Sequence, residues 1–283
     1  DGNTILIGLT SKETIDELRK TVVFLGRYDN GQIKFLASGC IVGIKKVFHL
    51  VTAKHVVYSQ KFGSFLDENV FAFSNSKSGK LVQHSIKDLK KELNVNWIFD
   101  ENKEIDVAII PFPFNPEDEI IKAIPEDLFL PDSYEIHEAL DVFFLSFQPG
   151  IEDTRKINPI VRTGIISLMN DDKTFYIDGA TFPGNSGGPV FTKPGNFISG
   201  PGNLLDTMAR NNFIGIVGEY VPYTEKAISE QTWDVRVIFR ENTGLSLIWH
   251  VSLINEITNS EEFIKQVDHV MELFKEINPD AVK

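Results

Sequence analysis

Short stretches rich in Val, Ile, Phe and Thr, broken every few residues by Gly, Pro, Asn or Asp, recur along almost the whole chain, and this rhythm restricts it to an all-β design. Thr21 to Arg27 and Ile33 to Ile44 flank Asp29-Asn30-Gly31, a hairpin signal. Val47 to Ala53, Val70 to Phe73, Leu81 to Ile86 and Val107 to Phe112 extend the pattern to a first barrel over residues 21–112. Residues 113–137, with four prolines among many acids, read as a linker. Alternating strands resume over 138–255, at Val142 to Phe147, Ile160 to Leu168, Thr174 to Ile177, Pro189 to Phe191, Phe213 to Val221, Val235 to Phe239 and Leu245 to Val251, and predict a second barrel. Helical patterns are few. Residues 11–20 carry a Ser cap, early acids and late bases, and Asp88 to Leu93 forms a helical turn. Within 256–283, apolar residues recur at helical spacing over Ser260 to Ile277, predicting one amphipathic helix packed on the second barrel.

Gly184-Asn185-Ser186-Gly187-Gly188-Pro189 carries the chemistry. A serine between glycines sits where the backbone turns sharply, leaving its side chain and the neighbouring N–H groups free to face a substrate. A nucleophilic hydroxyl needs a base for its proton and a third group to orient that base. His55, in Thr52-Ala53-Lys54-His55, follows an apolar run that delivers it at a strand end. Asp106 stands at the mouth of the apolar strand Val107-Ala108-Ile109-Ile110, where a carboxylate needs a hydrogen-bonding partner such as an imidazole N–H.

The order His55, Asp106, Ser186 and the blocks Thr-Ala-Lys-His, Asp-Val-Ala and Gly-Asn-Ser-Gly-Gly-Pro resemble those of the trypsin/chymotrypsin-fold serine peptidases, especially the bacterial trypsin-like peptidases of the HtrA kind. Thr163-Gly164-Ile165-Ile166-Ser167 and Gly215-Ile216-Val217 are similar to two further strands of the second barrel, so the resemblance covers about residues 20 to 255. It implies two six-stranded antiparallel barrels, chymotrypsin-like, with an HtrA-like protease domain and too little chain after residue 255 for the usual PDZ domain. It also implies a peptidase whose Ser186 attacks, whose His55 moves the proton and whose Asp106 orients His55, with the N–H groups of Gly184 and Ser186 as the oxyanion hole. The Pro183-Gly184-Asn185 turn is expected to hold that hole either formed or collapsed, with substrate or a protein activator ordering it. Zymogen-activated trypsins have Asp where this chain has Asn185, so pairing with a buried N-terminal ammonium is not expected.

Specificity follows from fewer residues. Ala180 stands six positions before Ser186, where a trypsin places its acidic pocket base, and predicts a neutral pocket for small to medium apolar side chains. Val217-Gly218-Glu219-Tyr220 resembles the edge strand that pairs with substrate backbone, Gly218 leaving room there. Thr192 to Asn212 and the charged stretch Pro222 to Asp234 are expected as flanking loops that tune access or as tolerated insertions.

Composition narrows the partners. The 283 residues carry a net charge of −12, which disfavours nucleic acid and anionic membrane, and no apolar run approaches the length of a membrane helix. The expected partner is a protein or peptide substrate, with the oligomeric state left open. Cys40 is the only cysteine, so no intrachain disulfide forms, and a bacterial cytoplasm is favoured over periplasm or secretion. The chain starts at Asp1 without Met, from which an upstream segment is expected. The histidines show no zinc-ligand spacing, so neither metal nor cofactor is expected. A peptide-holding pseudo-protease and an esterase-type acyl hydrolase remain as alternatives to an endopeptidase.

Overall fold

The computed structural model describes residues 11–151, 155–195 and 210–277. After α1 (Ser11–Arg19), the N-terminal half is built on the hairpin of β1 (Val22–Asp29) and β2 (Gln32–Ile44). Asn30 and Gly31 take φ of 49° and 79°, the pair of left-handed residues that a tight hairpin turn requires. β3 (Val47–Thr52) pairs with β2 and leads into α2 (Lys54–Val57), followed by the small ribbon of β4 (Tyr58–Ser59) and β5 (Ser64–Phe65). β6 (Phe71–Asn75), β7 (Leu81–Ser85), α3 (Ile86–Leu93), β8 (Ile98–Phe99), β9 (Ala108–Pro111) and β10 (Ile124–Pro125) complete this half.

Its eight-stranded sheet runs β7-β6-β1-β2-β3-β9-β8, with β10 parallel to β2, and no pairing joins β8 back to β7. The pairing of this half is therefore left open between β7 and β8, within the mostly β, chymotrypsin-like fold that was expected. The chain between its two edge strands is taken up by α3, whose start is capped by the Ser85 hydroxyl accepting from the Asp88 N–H and whose end is Asn94 in the left-handed region. Residues 113–137 are not a free linker either. Glu119 is buried and accepts hydrogen bonds from Ser74 Oγ (2.7 Å), His84 Nε2 (2.9 Å) and the Asn115 N–H (3.1 Å), which fastens the segment to the sheet.

The C-terminal half closes into the expected six-stranded barrel: β11 (Asp141–Ser146), β12 (Ile160–Met169), β13 (Thr174–Asp178), β14 (Pro189–Thr192), β15 (Phe213–Ile228) and β16 (Val235–His250), in the order β11-β12-β13-β16-β15-β14. β15 and β16 run on as a long two-stranded ribbon, so most of the charged stretch Pro222 to Asp234 is strand where a loop was expected. Tyr223, Glu225 and Ala227 on one face and Thr224, Lys226 and Ile228 on the other mix polar and apolar side chains on both, which suits a ribbon with both faces in water. Most of Thr192 to Asn212 lies outside the described residues.

Two helices replace the single one expected at the end. α4 (Val251–Thr258) begins where the sequence reads as strand, because the His250 side chain accepts from the Ser252 N–H and starts the helix early. α5 (Glu261–Ile277) follows, with Ser260 Oγ accepting from the Phe263 N–H. The buried stripe of α5 packs on the N-terminal sheet and not on the barrel: Phe263 lies over the buried His49 ring at 4.8 Å, and Gln266 Nε2 donates to Asn96 O at 3.0 Å. Burial pushes the His49 imidazole down to about 4, so it stays neutral under this cover. The two halves share one continuous apolar core, in which Phe147 of the C-terminal half meets Phe24 and Phe35 of the sheet.

Candidate active site

His55 sits in α2, one turn beyond β3, where a strand end was expected. Because Thr52 of β3 pairs with Ala108 of β9, the residue two places before β9 is carried up beside α2, and that residue is Asp106. Its carboxylate accepts twice from the same histidine: Oδ1 from the His55 backbone N–H and Oδ2 from Nδ1, each at 2.7 Å. A carboxylate can only accept, so Nδ1 carries the proton and Nε2 is left as an acceptor. The loop is anchored from below by Lys54, whose buried ammonium donates to Lys103 O at 3.0 Å. Burial works to lower the pKa of His55, but the Asp106 hydrogen bond and charge, with Glu219 adding to them, outweigh it and raise the pKa overall.

Ser186 is held from the opposite half of the molecule. Pro183 and Gly184 form a turn closed by the Asn185 N–H donating to Phe182 O at 2.9 Å, with Gly184 at φ 102°. Asn185 is fully buried; its Oδ1 accepts from the Phe182 N–H at 2.8 Å and its Nδ2 donates to Phe147 O. Among the described residues neither the Gly184 nor the Ser186 N–H has an intramolecular partner, so both are free for a ligand. No hydrogen bond joins Ser186 to His55.

Ser38, in β2, ties the halves together at this point. Its hydroxyl donates to Gly184 O (2.9 Å) and accepts from the Phe147 N–H (2.8 Å), while its N–H donates to Ser186 O (2.9 Å). The Thr52 hydroxyl in turn donates to Ser38 O at 2.8 Å. Sequence reasoning missed Ser38; the only signal was a small polar residue inside an apolar strand.

His55, Asp106, Ser186, Val217, Gly218 and Glu219 all line one cleft of about 650 Å³. Gly184 is buried and does not line it. Ala180, the position expected as the pocket base, is half-buried and does not line it, although Thr181, Phe182 and Pro183 do. The Thr181 and Ser246 hydroxyls bond to one another there at 2.8 Å, Ser246 donates to Gly179 O at 2.7 Å, and Asn242 Nδ2 donates to Thr181 O at 2.7 Å. The groups bonded around Thr181 at this edge of the cleft are all neutral.

A family model described as trypsin-like peptidase domain matches residues 37–199, more than half of the chain. The chain is also similar in fold to the crystal structure of the serine endoprotease from Yersinia pestis, at 14% identity and a TM-score of 0.51, covering 91% of this chain and 68% of that one. No curated protein matches it. The protein belongs to the trypsin-like peptidase domain family and is a serine peptidase.

Proposed function

We propose that the protein is an endopeptidase that cleaves polypeptides after a small to medium apolar residue by way of an acyl-enzyme. Ser186 attacks the scissile carbonyl, His55 Nε2 takes the hydroxyl proton and later gives it to the leaving amine, and Asp106 keeps His55 in that tautomer and stabilises its charged form. The Gly184 and Ser186 N–H groups receive the oxyanion, each donor worth about 3–4 kcal/mol of transition-state stabilisation. The observation that carries this reading is the double hold of Asp106 on His55 in a cleft whose other wall presents Ser186 on a turn with two unused N–H groups. The neutral hydrogen bonds that Thr181, on the cleft wall, makes with Ser246 and Asn242 support an uncharged pocket for the residue before the cut.

One observation favours a second reading, a latent enzyme that a protein activator completes: Ser186 and His55 share no hydrogen bond. Such bonds are often long in the absence of substrate and tighten on binding. Labelling with a fluorophosphonate probe tests both readings. Wild type is expected to label, Ser186→Ala not to, and an unfolded protein to be cut after apolar residues. Absence of labelling under every condition would support the latent or peptide-holding reading, and cleavage mainly after Arg or Lys would overturn the proposed specificity.

A further inference from the structure

β15 is one strand with two lives. At Gly215 and Ile216 it has a partner on each side, β14 and β16. Val217 is still tied to the nucleophile turn, donating to Gly188 O at 2.9 Å and accepting from the Gly187 N–H at 2.7 Å. From Gly218 to Ile228 only β16 pairs with it among the described residues, which leaves one edge of the strand open. That edge begins inside the cleft, at Gly218 and Glu219, and continues out along the ribbon.

The ribbon itself is unusual for a surface element. Tyr223 (52%), Ile228 (47%), Val235 (48%), Val237 (47%), Ile238 (52%) and Phe239 (53%) are all about half exposed on an element whose two strands, among the described residues, contact chiefly one another. A two-stranded ribbon is marginal in water on its own, and an open apolar edge is a template for a further strand. Lys226 and Glu225 offset one another on β15, so charge does not select what pairs there.

We infer that the open edge of β15 from Tyr220 to Ile228 is an extended substrate-binding surface for an unfolded polypeptide segment lying N-terminal to the scissile bond, with alternating apolar side chains. This rests on the proposed peptidase reading. A substrate strand antiparallel to β15 runs in its own N-terminal direction as β15 runs toward Ile228. The chain that enters the cleft beside Gly218 is therefore led onto the ribbon without a turn. At about 3.4 Å per residue, the eight steps from Tyr220 to Ile228 add about 27 Å, room for about eight further substrate residues. Pro222 withholds one N–H from this edge, and the register shifts around Tyr220 twist it; the remaining backbone groups and the apolar side chains stay available. The substrate class this selects is an unfolded, apolar-rich protein in preference to a short peptide.

The test compares two fluorescent peptides with the same cleavage sequence, one beginning three residues before the scissile bond and one extended N-terminally by eight alternating apolar and neutral polar residues. Binding to Ser186→Ala is measured by anisotropy, and turnover and fluorophosphonate labelling are measured with the intact serine. The long peptide is expected to bind and to be cut roughly tenfold better or more, since remote contacts supply binding energy to the reaction. Val237→Ser with Phe239→Ser, and separately a ribbon shortened to an Asn-Gly turn between the paired residues Tyr223 and Glu241, are expected to bring that ratio near one while short-peptide turnover and labelling stay at wild-type levels. A ratio near one in wild type overturns the inference, as does a ratio that survives both variants. A mass that rises with protein concentration and falls in the same variants, without length dependence, assigns the ribbon to a second copy and also overturns it. Failure of the peptidase reading shows separately, as absent labelling and turnover, while anisotropy still reads the ribbon.

Discussion

Gly184→Ala tests whether the turn before Ser186 is the oxyanion hole. An ideal Cβ on Gly184 would lie 2.5 Å from Phe147 Cδ1 and 3.1 Å from Cε1. Phe147 cannot retreat, because it is buried against Phe24 and Phe35 with ring centroids 5.1 and 5.2 Å away. The residue also sits at φ 102°, where an L side chain costs about 1–3 kcal/mol. Contact and dihedral push the same way, and both are relieved if the Pro183–Gly184 peptide rotates so that residue 184 takes a negative φ. That rotation turns its N–H away from the cleft and removes one of two oxyanion donors, an expected fall of about 10²–10³ in kcat. The assay is steady-state hydrolysis of a fluorogenic peptide together with the rate of fluorophosphonate labelling, with thermal unfolding as control. kcat and the labelling rate should fall together, KM should stay within a few-fold, and the fold should persist, since the rotation spares the core. A folded Gly184→Ala enzyme with wild-type kcat would refute the assignment of the Gly184 N–H.

Asp106→Asn should cut kcat by about 10⁴ with the fold intact, because an amide in place of the carboxylate cannot accept from both His55 donors and the imidazole takes the wrong tautomer; steady-state kinetics beside circular dichroism checks this. Activity requires neutral His55, whose pKa is raised above its ordinary 6.5, so kcat/KM should fall as pH drops through that raised value. Glu219→Gln removes a charge that favours the imidazolium, so the acid limb of the kcat/KM profile should move to lower pH; an unmoved or upward-shifted limb would contradict the placement of Glu219. Ser38→Ala leaves the buried Phe147 N–H without its acceptor and frees the Gly184 carbonyl, and should cost about 1–3 kcal/mol in denaturant unfolding and lower kcat as the turn loosens.

The parts of the site legible in the sequence are those whose residues are chemically out of place. A carboxylate before Val107-Ala108-Ile109-Ile110 needs a partner, and a serine among glycines needs a reason; the structure brings Asp106 to His55 and Ser186 into the same cleft. Ser38 escaped because its role depends on a carbonyl 146 residues away, and nothing local distinguishes it from any serine in a strand. Ala180 was placed by counting from Ser186, and counting does not see that the cleft wall starts one residue later, at Thr181. The stripe of α5 announced that it packs but not on what, since Phe263 fits His49 of the sheet as well as any apolar face of the barrel. The ribbon was misread as loop because Glu225, Lys226, Arg236 and Arg240 are interspersed with apolar residues along its strands without a consistent apolar face, which suits an element exposed on both faces and also a tolerated insertion.

Asn185 decides where control of this enzyme can act. Its neutral amide gives a buried N-terminal ammonium nothing to pair with, and the structure adds what the amide does instead: both ends of it are spent on Phe182 and Phe147, inside the turn itself. The turn is thereby braced from within, with Gly184 already at φ 102° and its carbonyl held by Ser38. An activator would have little to gain by ordering a hole whose donors already stand free. What is left unmade is the bond between Ser186 and His55, and those residues come from different halves of the molecule, clamped together by Ser38 and the packing of Phe147 on Phe24 and Phe35. A ligand that presses the halves together across the cleft, as a substrate strand on β15 would, acts on the one distance that the fold leaves open.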